Sequence, residues 1–260
     1  MALQPISKEV CGARVAVLAV HGILGSPQHF DMLLPYLPAE WSYYSIVLDG
    51  HGGTVRDFAR SSRKKWEEQV AHEVARVCAK YDRVIIVAHS MGCMLMSNTI
   101  VKQGLEQKIA GMLFLGAALY PKCDPPIVRT AFRLLYGNPA RDNACIAAAR
   151  IRCGTTLHKR LWEYLAWIPR FIDLFGLARY TRERMPTYPL PMHVLQSYHD
   201  EVVARRAIRP FVKNPHAVAE FLMHSSHFYY AHEDEERICN VFCQIVENVR
   251  KNVQNVSCAD

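Results

Sequence analysis

The 260-residue sequence has no long apolar run. The longest run near the N-terminus, Val15–Val20, stops at His21, far short of the ~20 residues of a membrane span and shorter than a signal-peptide core. We therefore expect no membrane-spanning helix and no export signal. The predicted location is the cytoplasm.

Cysteine motifs for disulfides or metals are also missing. The nine cysteines are odd in number and scattered, and none forms a Cys-x-x-Cys motif. This pattern supports neither a disulfide framework nor a zinc site. We expect reduced thiols and no metal site.

The net charge of +7 is concentrated in one segment. Residues 121–190 contain twelve Lys/Arg and five Asp/Glu, a difference equal to the whole excess. No nucleic-acid motif accompanies these basic residues, and aromatics and leucines separate them, so we expect no nucleic-acid partner. A solvated helical face is the simplest explanation, and an anionic substrate or weak contact with an acidic membrane surface stays open.

Short β-branched runs alternate with longer helix-like stretches along the rest of the chain. Half of the residues are hydrophobic and 21% are charged, as in a globular domain. The alternation predicts an α/β fold with a mostly parallel sheet of about six to seven strands flanked by helices. We place strands at 15–20, 43–48, 83–88, 111–115, 192–196 and 218–223, and helices at 30–37, 64–80, 93–103 and 233–251.

Residues 120–191 interrupt this rhythm. Roughly 70 residues separate two predicted strands where a connection of a dozen or two would be enough. The segment is rich in leucine and aromatic residues and predicts two or three amphipathic helices. It is either additional core or a helical lid over a hydrophobic pocket, and its place at the carboxyl edge of the sheet favours the lid. We therefore predict a core of residues 1–119 and 192–260 with a lid at 120–191.

Ser90 is the first candidate catalytic residue. It lies in the pentapeptide Ala88-His89-Ser90-Met91-Gly92, between a predicted buried strand and a predicted helix. A nucleophilic serine at such a sharp turn needs small neighbours two residues before and after it. Ala88 takes the place of the first glycine in the Gly-x-Ser-x-Gly pattern. The alternative is that Ser90 only caps the helix.

A candidate oxyanion hole follows the first predicted strand. The glycine-rich turn 21–26 leaves backbone N–H groups pointing outward, and by position the amides of Ile23 and Met91 would bind the oxyanion. His21 could instead be a base or, with Asp49 and His51, a metal ligand. Neither spacing matches a known ligand pattern, and a structural role is favoured for both histidines.

Three motifs together, residues 21–26, 49–54 and 88–92, resemble the α/β-hydrolase superfamily, in particular its small carboxylesterases and monoacylglycerol lipases. The resemblance covers nearly the whole chain and is weakest over residues 120–191. It implies a serine hydrolase of the α/β-hydrolase fold from which the first one or two strands of eight are absent. The turn at 49–54 shapes the floor of the family's active site, so no catalytic role follows for Asp49 or His51.

The resemblance also implies a triad in the order serine, acid, histidine. Asp200 aligns with the acid, three residues before Val203, and Glu201 is the neighbouring contender. His227, just after the last predicted strand, aligns with the base.

Two further histidines compete with His227 for the role of base. They are His224 at the strand end and His232 at the start of the next helix. Ser226 stands where the family more often has glycine, which could alter the loop's geometry but leaves His227 favoured.

The predicted reaction is hydrolysis through an acyl-enzyme, because an activated serine with a base and an oxyanion hole supplies that chemistry. The resemblance to carboxylesterases and monoacylglycerol lipases implies that the bond cleaved is a carboxylic ester. The apolar lid favours a small-molecule substrate with an apolar acyl group. No cofactor is implied. The alternatives are a thioesterase, an amidase, a carbon–carbon bond hydrolase or a non-catalytic ligand-binding homologue.

Overall fold

The computed structural model describes residues 3–123 and 125–257. Within them, seven strands form one sheet in the order β1-β3-β2-β4-β5-β6-β7. The strands are β1 (Ile6–Lys8), β2 (Val15–Val20), β3 (Ser42–Ile46), β4 (Arg83–His89), β5 (Ile109–Leu115), β6 (Met192–Ser197) and β7 (Ala217–Leu222). Strand β1 pairs antiparallel with β3, and all other pairs are parallel. This is the α/β-hydrolase fold with seven strands, as the sequence predicts.

Helices cover both faces of the sheet. The α-helices are α1 (Val55–Ala59), α2 (Arg63–Lys80), α3 (Met91–Gln103), α4 (Pro125–Tyr136), α5 (Ala144–Arg152), α6 (Ile168–Arg184), α7 (Arg209–Val212) and α8 (His232–Ser257). Single-turn and longer 3₁₀ helices lie at Pro27–Tyr36, Glu106–Lys108, Pro139–Arg141, Leu161–Trp167, Met185–Thr187 and Arg205–Ile208.

The central strands are apolar because both of their faces are buried. In β2, Leu18 points to a core that α2, α3 and α6 complete, and Trp66 of α2 is one of its largest members. The preceding residue, Val17, points to the opposite face of the sheet and to a second core, where Phe242 of α8 packs. Because these strands are parallel, the carboxyl ends of β2, β4, β5 and β6 lie along the same edge of the sheet.

Two local features go beyond the sequence predictions. The sequence did not predict β1, because Ile6–Lys8 is short and largely exposed and carries no apolar run; it forms by pairing with β3 at the sheet edge. The helix expected at residues 30–37 is present as a 3₁₀ helix that spans Pro27–Tyr36. Pro35 lies inside this segment, and its missing N–H disfavours a regular α-helix.

The segment between β5 and β6 contains α4, α5, the 3₁₀ helix Leu161–Trp167 and α6. The C-terminal half of this segment is hydrogen-bonded to the core. The indole N–H of Trp167 donates to the Val55 carbonyl at 2.8 Å, and the Asn98 amide donates to the Thr181 hydroxyl at 2.8 Å. The predicted amphipathic helices are present. Whether they act as a lid stays a prediction.

No helix among the described residues has the length and hydropathy needed to cross a bilayer. No cluster of three or more His, Cys, Asp or Glu side chains suited to a metal ion occurs in the same part of the chain. Eight of the nine cysteines are described, and each is a free thiol. Cys258 lies outside the described residues. The cytoplasmic location stays a prediction.

Candidate active site

Ser90 lies at a sharp turn between β4 and α3. Its backbone has φ 54° and ψ −116°, a conformation that costs free energy for a residue with a side chain. The Ser90 N–H donates to the Leu115 carbonyl at 2.9 Å, which ties the turn to β5. Ser90 occupies the N-cap position of α3, but its side chain makes no capping hydrogen bond. The hydroxyl is therefore left for another partner.

The turn is possible because its neighbours are small. A Cβ atom on Gly92 would collide with the backbone carbonyl oxygen of Val20. A Cβ atom on Gly22, in the turn after β2, would lie 2.5 Å from the Cβ of Ser90. Real Cβ atoms do not approach other atoms this closely, so both glycines are required. Ala88 is buried at the end of β4 and is accommodated there.

His227 and Asp200 complete a chain of hydrogen bonds with Ser90. The Ser90 hydroxyl lies 3.1 Å from His227 Nε2, and His227 Nδ1 lies 2.8 Å from Asp200 Oδ2. All three residues are buried. The second carboxylate oxygen of Asp200 accepts the N–H groups of Val202 at 2.8 Å and Val203 at 2.7 Å. The structure thus brings together the three residues that the sequence predicts as a triad.

The competing residues lie elsewhere. The ring of His224 is exposed and pairs with Glu233, and that of His232 is exposed and pairs with Glu236. Glu201 does not reach the ring of His227. Its carboxylate accepts the backbone N–H of His227 at 3.0 Å instead. In this arrangement His224 and His232 could not replace His227 as the partner of Ser90. Glu201 could not replace Asp200 as the partner of the His227 ring.

Opposing effects act on the pKa of His227. Burial lowers it most, but the charge of Asp200, the hydrogen bond to Asp200 and the charge of Glu201 outweigh burial. The pKa therefore lies above its usual value of 6.5. Since Nδ1–H donates to Asp200, Nε2 faces Ser90 as an acceptor whenever the ring is neutral.

The backbone amides of Ile23 and Met91 belong to residues that adjoin Ser90 or its neighbour Gly22. Met91 directly follows the serine, and Ile23 follows Gly22, which packs against the serine side chain. Neither amide donates to a protein acceptor within residues 3–123 and 125–257. Unpaired donors at this place are what an oxyanion needs.

His21 and His51 are both bonded to backbone groups. His21 Nδ1 donates to the Gly22 carbonyl at 2.8 Å, and its Nε2 accepts the Leu48 N–H at 3.1 Å. His51 Nε2 accepts the Leu24 N–H at 2.9 Å. Burial lowers the pKa of His21 to about 3 and that of His51 to about 4, so both rings are neutral. Every ring nitrogen has a backbone partner, which is the structural role that the sequence favours.

Sequence reasoning missed a contact of His89, the residue before the nucleophile. Its Nε2 lies 3.2 Å from the backbone carbonyl of His227, so the imidazole donates to the peptide of the candidate base. The ring of His29 stacks on His89 with centroids 3.6 Å apart, and His29 Nε2 lies 2.9 Å from the Tyr230 hydroxyl. Burial lowers the pKa of both imidazoles. The only sequence signal was the presence of His89 in the pentapeptide.

A cavity of about 380 Å³ opens beside His227. Its wall from the core includes Ile23, Leu24 and Phe228, and its wall from the segment between β5 and β6 is built mostly of apolar side chains. Those residues are Thr130, Ala131, Leu134, Leu135, Ala149, Cys153, Leu157, Leu161, Tyr164, Trp167 and Phe171. The sequence signal for this cavity was the leucine-rich and aromatic composition of the segment, which could not say which side chains face inward.

A profile of the alpha/beta hydrolase family matches residues 17–241. The chain therefore belongs to the alpha/beta hydrolase family. A comparison with curated protein sequences finds no match.

Several solved structures share the fold. One was described for LipS and LipT, two metagenome-derived lipolytic enzymes, with TM-score 0.71 and 19% identity over 95% of this chain and 98% of that chain. Another is a soluble variant of monoglyceride lipase from Saccharomyces cerevisiae, with TM-score 0.68 and 14% identity over 94% and 90%. A third is the monoacylglycerol lipase of Paleococcus ferrophilus, with TM-score 0.64 and 14% identity over 95% and 100%. At these identities the likeness establishes the fold alone.

Proposed function

We propose that the protein is a serine hydrolase that cleaves carboxylic esters with an apolar acyl group. The observation that carries this proposal is the placement of Ser90 Oγ, 3.1 Å from His227 Nε2, beside an apolar cavity that His227 itself lines. The esterases and lipases among the structural relatives add support at the level of the fold.

In the proposed mechanism, Ser90 attacks the ester carbonyl while its proton passes to His227 Nε2. Asp200 keeps the Nδ1 proton of His227 in place and stabilises the imidazolium that forms. The amides of Ile23 and Met91 donate to the developing oxyanion. His227 then protonates the leaving alcohol, and water, deprotonated by the same imidazole, releases the acid from Ser90.

The cavity supports an apolar acyl group as the bound part of the substrate. Its polar lining groups are few, and a cavity of about 380 Å³ lies in the range of small-molecule sites. Each methylene moved from water into such a wall contributes about 0.8 kcal/mol. Chain length should therefore affect kcat/KM until the cavity is full.

Labelling with a fluorophosphonate probe tests the catalytic assignment. We expect the folded protein to be labelled, and labelling to be lost in Ser90→Ala and His227→Ala. The matched control is Ser97→Ala, because Ser97 is a buried serine of α3 whose hydroxyl donates to the Cys93 carbonyl at 2.8 Å. A folded wild-type protein that takes no label would favour a non-catalytic binding role and refute the proposal.

A series of p-nitrophenyl esters from acetate to palmitate tests the substrate class. We expect kcat/KM to rise from acetate toward medium chains. Leu157→Trp should narrow the cavity and shift the optimum to shorter chains. Ile151→Trp is the control in the same segment, since Ile151 is 71% exposed and lies outside the cavity wall. A strong preference for acetate, or a preference for thioesters or amides over the matched ester, would contradict the ester-lipid assignment.

We also propose that the segment between β5 and β6 makes weak contact with acidic membrane surfaces. It carries an exposed apolar face whose side chains, apart from one adjacent pair, are three or four residues apart and are between 42% and 68% exposed. The face consists of Leu161, Trp162, Leu165, Ile168, Ile172 and Phe175. Exposed apolar groups with an indole among them suit the interface of a bilayer.

Charge favours an anionic surface over a neutral one. Residues 121–190 hold the entire positive excess of the chain, and Arg160 and Arg179, close to the exposed apolar face, have side chains at least 66% exposed. Basic residues near an anionic bilayer contribute about 1 kcal/mol each, less where they also pair with acids. Arg160 and Arg179 pair with Glu163 and Glu183, so the expected contact is weak.

Co-sedimentation with phosphatidylglycerol–phosphatidylcholine vesicles tests the membrane contact. Binding should increase with the anionic lipid fraction and decrease between 0.1 and 0.5 M NaCl. Leu165→Asp combined with Ile172→Asp should abolish it, and Val218→Asp should not, because Val218 is a 58% exposed apolar residue on β7. Binding that ignores lipid charge and salt would overturn the proposal.

A further inference from the structure

Leu24, the residue after Ile23, has an unusual backbone conformation. Its φ is +55°, in the left-handed region that a leucine rarely occupies. It directly follows the residue whose amide we place in the oxyanion hole, so Leu24 closes the same turn that carries the Ile23 N–H. A strained conformation of this kind persists only where surrounding contacts hold it.

Two contacts hold Leu24, one on each side of its backbone. Its N–H donates to His51 Nε2 at 2.9 Å, and its carbonyl accepts the N–H of Gly154 at 2.7 Å. His51 belongs to the core and Gly154 to the segment between β5 and β6. The strained residue is thus held between the two parts of the molecule.

The segment around Gly154 is itself fixed to the core. The Gly154 carbonyl accepts the Gly52 N–H at 2.6 Å, and the Thr156 N–H donates to the Gly53 carbonyl at 2.8 Å. Thr156 also forms an isolated parallel bridge with Thr54. A Cβ atom on Gly154 would collide with the backbone carbonyl of Gly25, so only glycine fits against the turn.

His51 is suited to hold the other side. Its Nδ1 lies 3.2 Å from the carbonyls of both Leu48 and Asp49 and donates there, which leaves Nε2 as an acceptor for Leu24. The ring is buried and packs edge-on against Phe58, with centroids 5.3 Å apart. The imidazole therefore has one orientation in which all of its hydrogen bonds are made.

We propose that Gly154 and His51 are positioning residues for the oxyanion hole, so that the segment between β5 and β6 helps to assemble the site as well as to cover it. This inference rests on the proposed function. Leu24 and Cys153 also line the apolar cavity, so an acyl chain touches the same backbone that sets the Ile23 amide. When the contact with His51 or the contact with Gly154 is lost, Leu24 relaxes to negative φ and the Ile23 amide turns away from Ser90.

The first test is Gly154→Ala against Gly176→Ala. Gly176 lies in α6, where an added Cβ would come no closer than 3.8 Å to the Arg63 side chain, an ordinary contact. We expect Gly154→Ala to lower kcat about 10- to 100-fold, somewhat less than the loss of a complete oxyanion donor, with KM within threefold of wild type. Gly176→Ala should retain wild-type kcat. Affinity for a trifluoromethyl ketone, which forms a tetrahedral adduct with the serine, should fall by the same factor as kcat/KM.

The second test uses the His51 side chain and stays informative if Gly154→Ala does not fold. His51→Phe keeps a ring in the space but removes the acceptor, and it should lower kcat about 10-fold or more. His51→Gln places an amide oxygen that can accept the Leu24 N–H, and it should recover most of the loss. A role in folding alone would lower the melting temperature of both variants and would leave kcat per folded molecule unchanged.

Hydrogen exchange at the Leu24 amide separates this inference from the proposed function. We expect faster exchange in Gly154→Ala and His51→Phe than in Gly176→Ala, whether or not the wild-type protein hydrolyses esters. If wild type is active and both variants keep kcat within twofold of Gly176→Ala, the inference is overturned and the proposed function stands. If wild type has no activity and takes no label, the proposed function fails, and unchanged exchange at Leu24 would overturn the inference separately.

Discussion

The Asp200→Asn variant gives the sharpest test of the candidate triad, because the structure determines how the new side chain is oriented. In the wild type one carboxylate oxygen accepts the N–H groups of Val202 and Val203 at 2.8 and 2.7 Å. The asparagine oxygen is favoured there, since an NH₂ group would face two N–H donors, whereas the Oδ2 position faces one, the Gln196 amide at 3.2 Å. The NH₂ group is thereby directed at Nδ1 of His227.

This orientation reverses the tautomer of the base. Facing an NH₂ donor, Nδ1 of His227 must be the acceptor, so the ring proton moves to Nε2. Nε2 then presents an N–H to the Ser90 hydroxyl, 3.1 Å away, and cannot take its proton. We expect kcat to fall by on the order of 10⁴-fold, which corresponds to about 5.4 kcal/mol in activation free energy.

The assay is kcat for a medium-chain p-nitrophenyl ester near neutral pH, with the rate of fluorophosphonate labelling measured in parallel and the melting temperature as a folding check. Glu201→Gln is the comparison, because its amide oxygen can still accept the His227 N–H that Glu201 accepts at 3.0 Å. We expect it to lose less than tenfold. If Glu201→Gln loses as much as Asp200→Asn, or if Asp200→Asn keeps more than a tenth of wild-type kcat, the assignment of Asp200 is wrong.

Two further predictions follow from the site. His227 must be neutral to act as a base, and Asp200 raises its pKa above 6.5 against the opposing effect of burial. We therefore expect kcat/KM to fall as the pH decreases through an apparent pKa above 6.5. A pH–rate profile with its acidic limb below pH 6 would contradict this. Gly92→Ala should lower the free energy of unfolding by about 3 kcal/mol, or the melting temperature by roughly 8 °C, because the added Cβ collides with the Val20 carbonyl. Calorimetry that finds the same melting temperature for Gly92→Ala and Gly176→Ala would refute the steric argument.

The candidate nucleophile was predicted from a local motif, and the candidate acid and base were implied by the resemblance to the α/β-hydrolase superfamily. Ser90 lies between small residues at a strand end, and Asp200 and His227 each follow a strand in the expected order. Parallel strands in one sheet bring their carboxyl ends to the same edge, so positions far apart in sequence converge without further information. The same rule predicted the Ile23 and Met91 amides from their places after β2 and β4.

The contacts around these residues had no such signal. His89 reaches the His227 carbonyl because the loop after β7 contacts the end of β4, and Glu201 reaches the His227 N–H because the same loop contacts the turn after β6. The contact of Gly154 with Leu24 joins the segment between β5 and β6 to the turn after β2. Each depends on distances set by the packing of several elements, and no pattern along the chain encodes them.

The sequence by itself determined the class of fold, because hydrophobic periodicity acts over a few residues. Its resemblance to the α/β-hydrolase superfamily implied the three candidate catalytic residues, whose motifs lie at strand ends. The tertiary structure alone decided the edge strand β1, the inward-facing wall of the cavity, and the way in which Leu24 is held between His51 and Gly154. These features depend on which surfaces meet, and the burial of apolar side chains across the whole chain decides that.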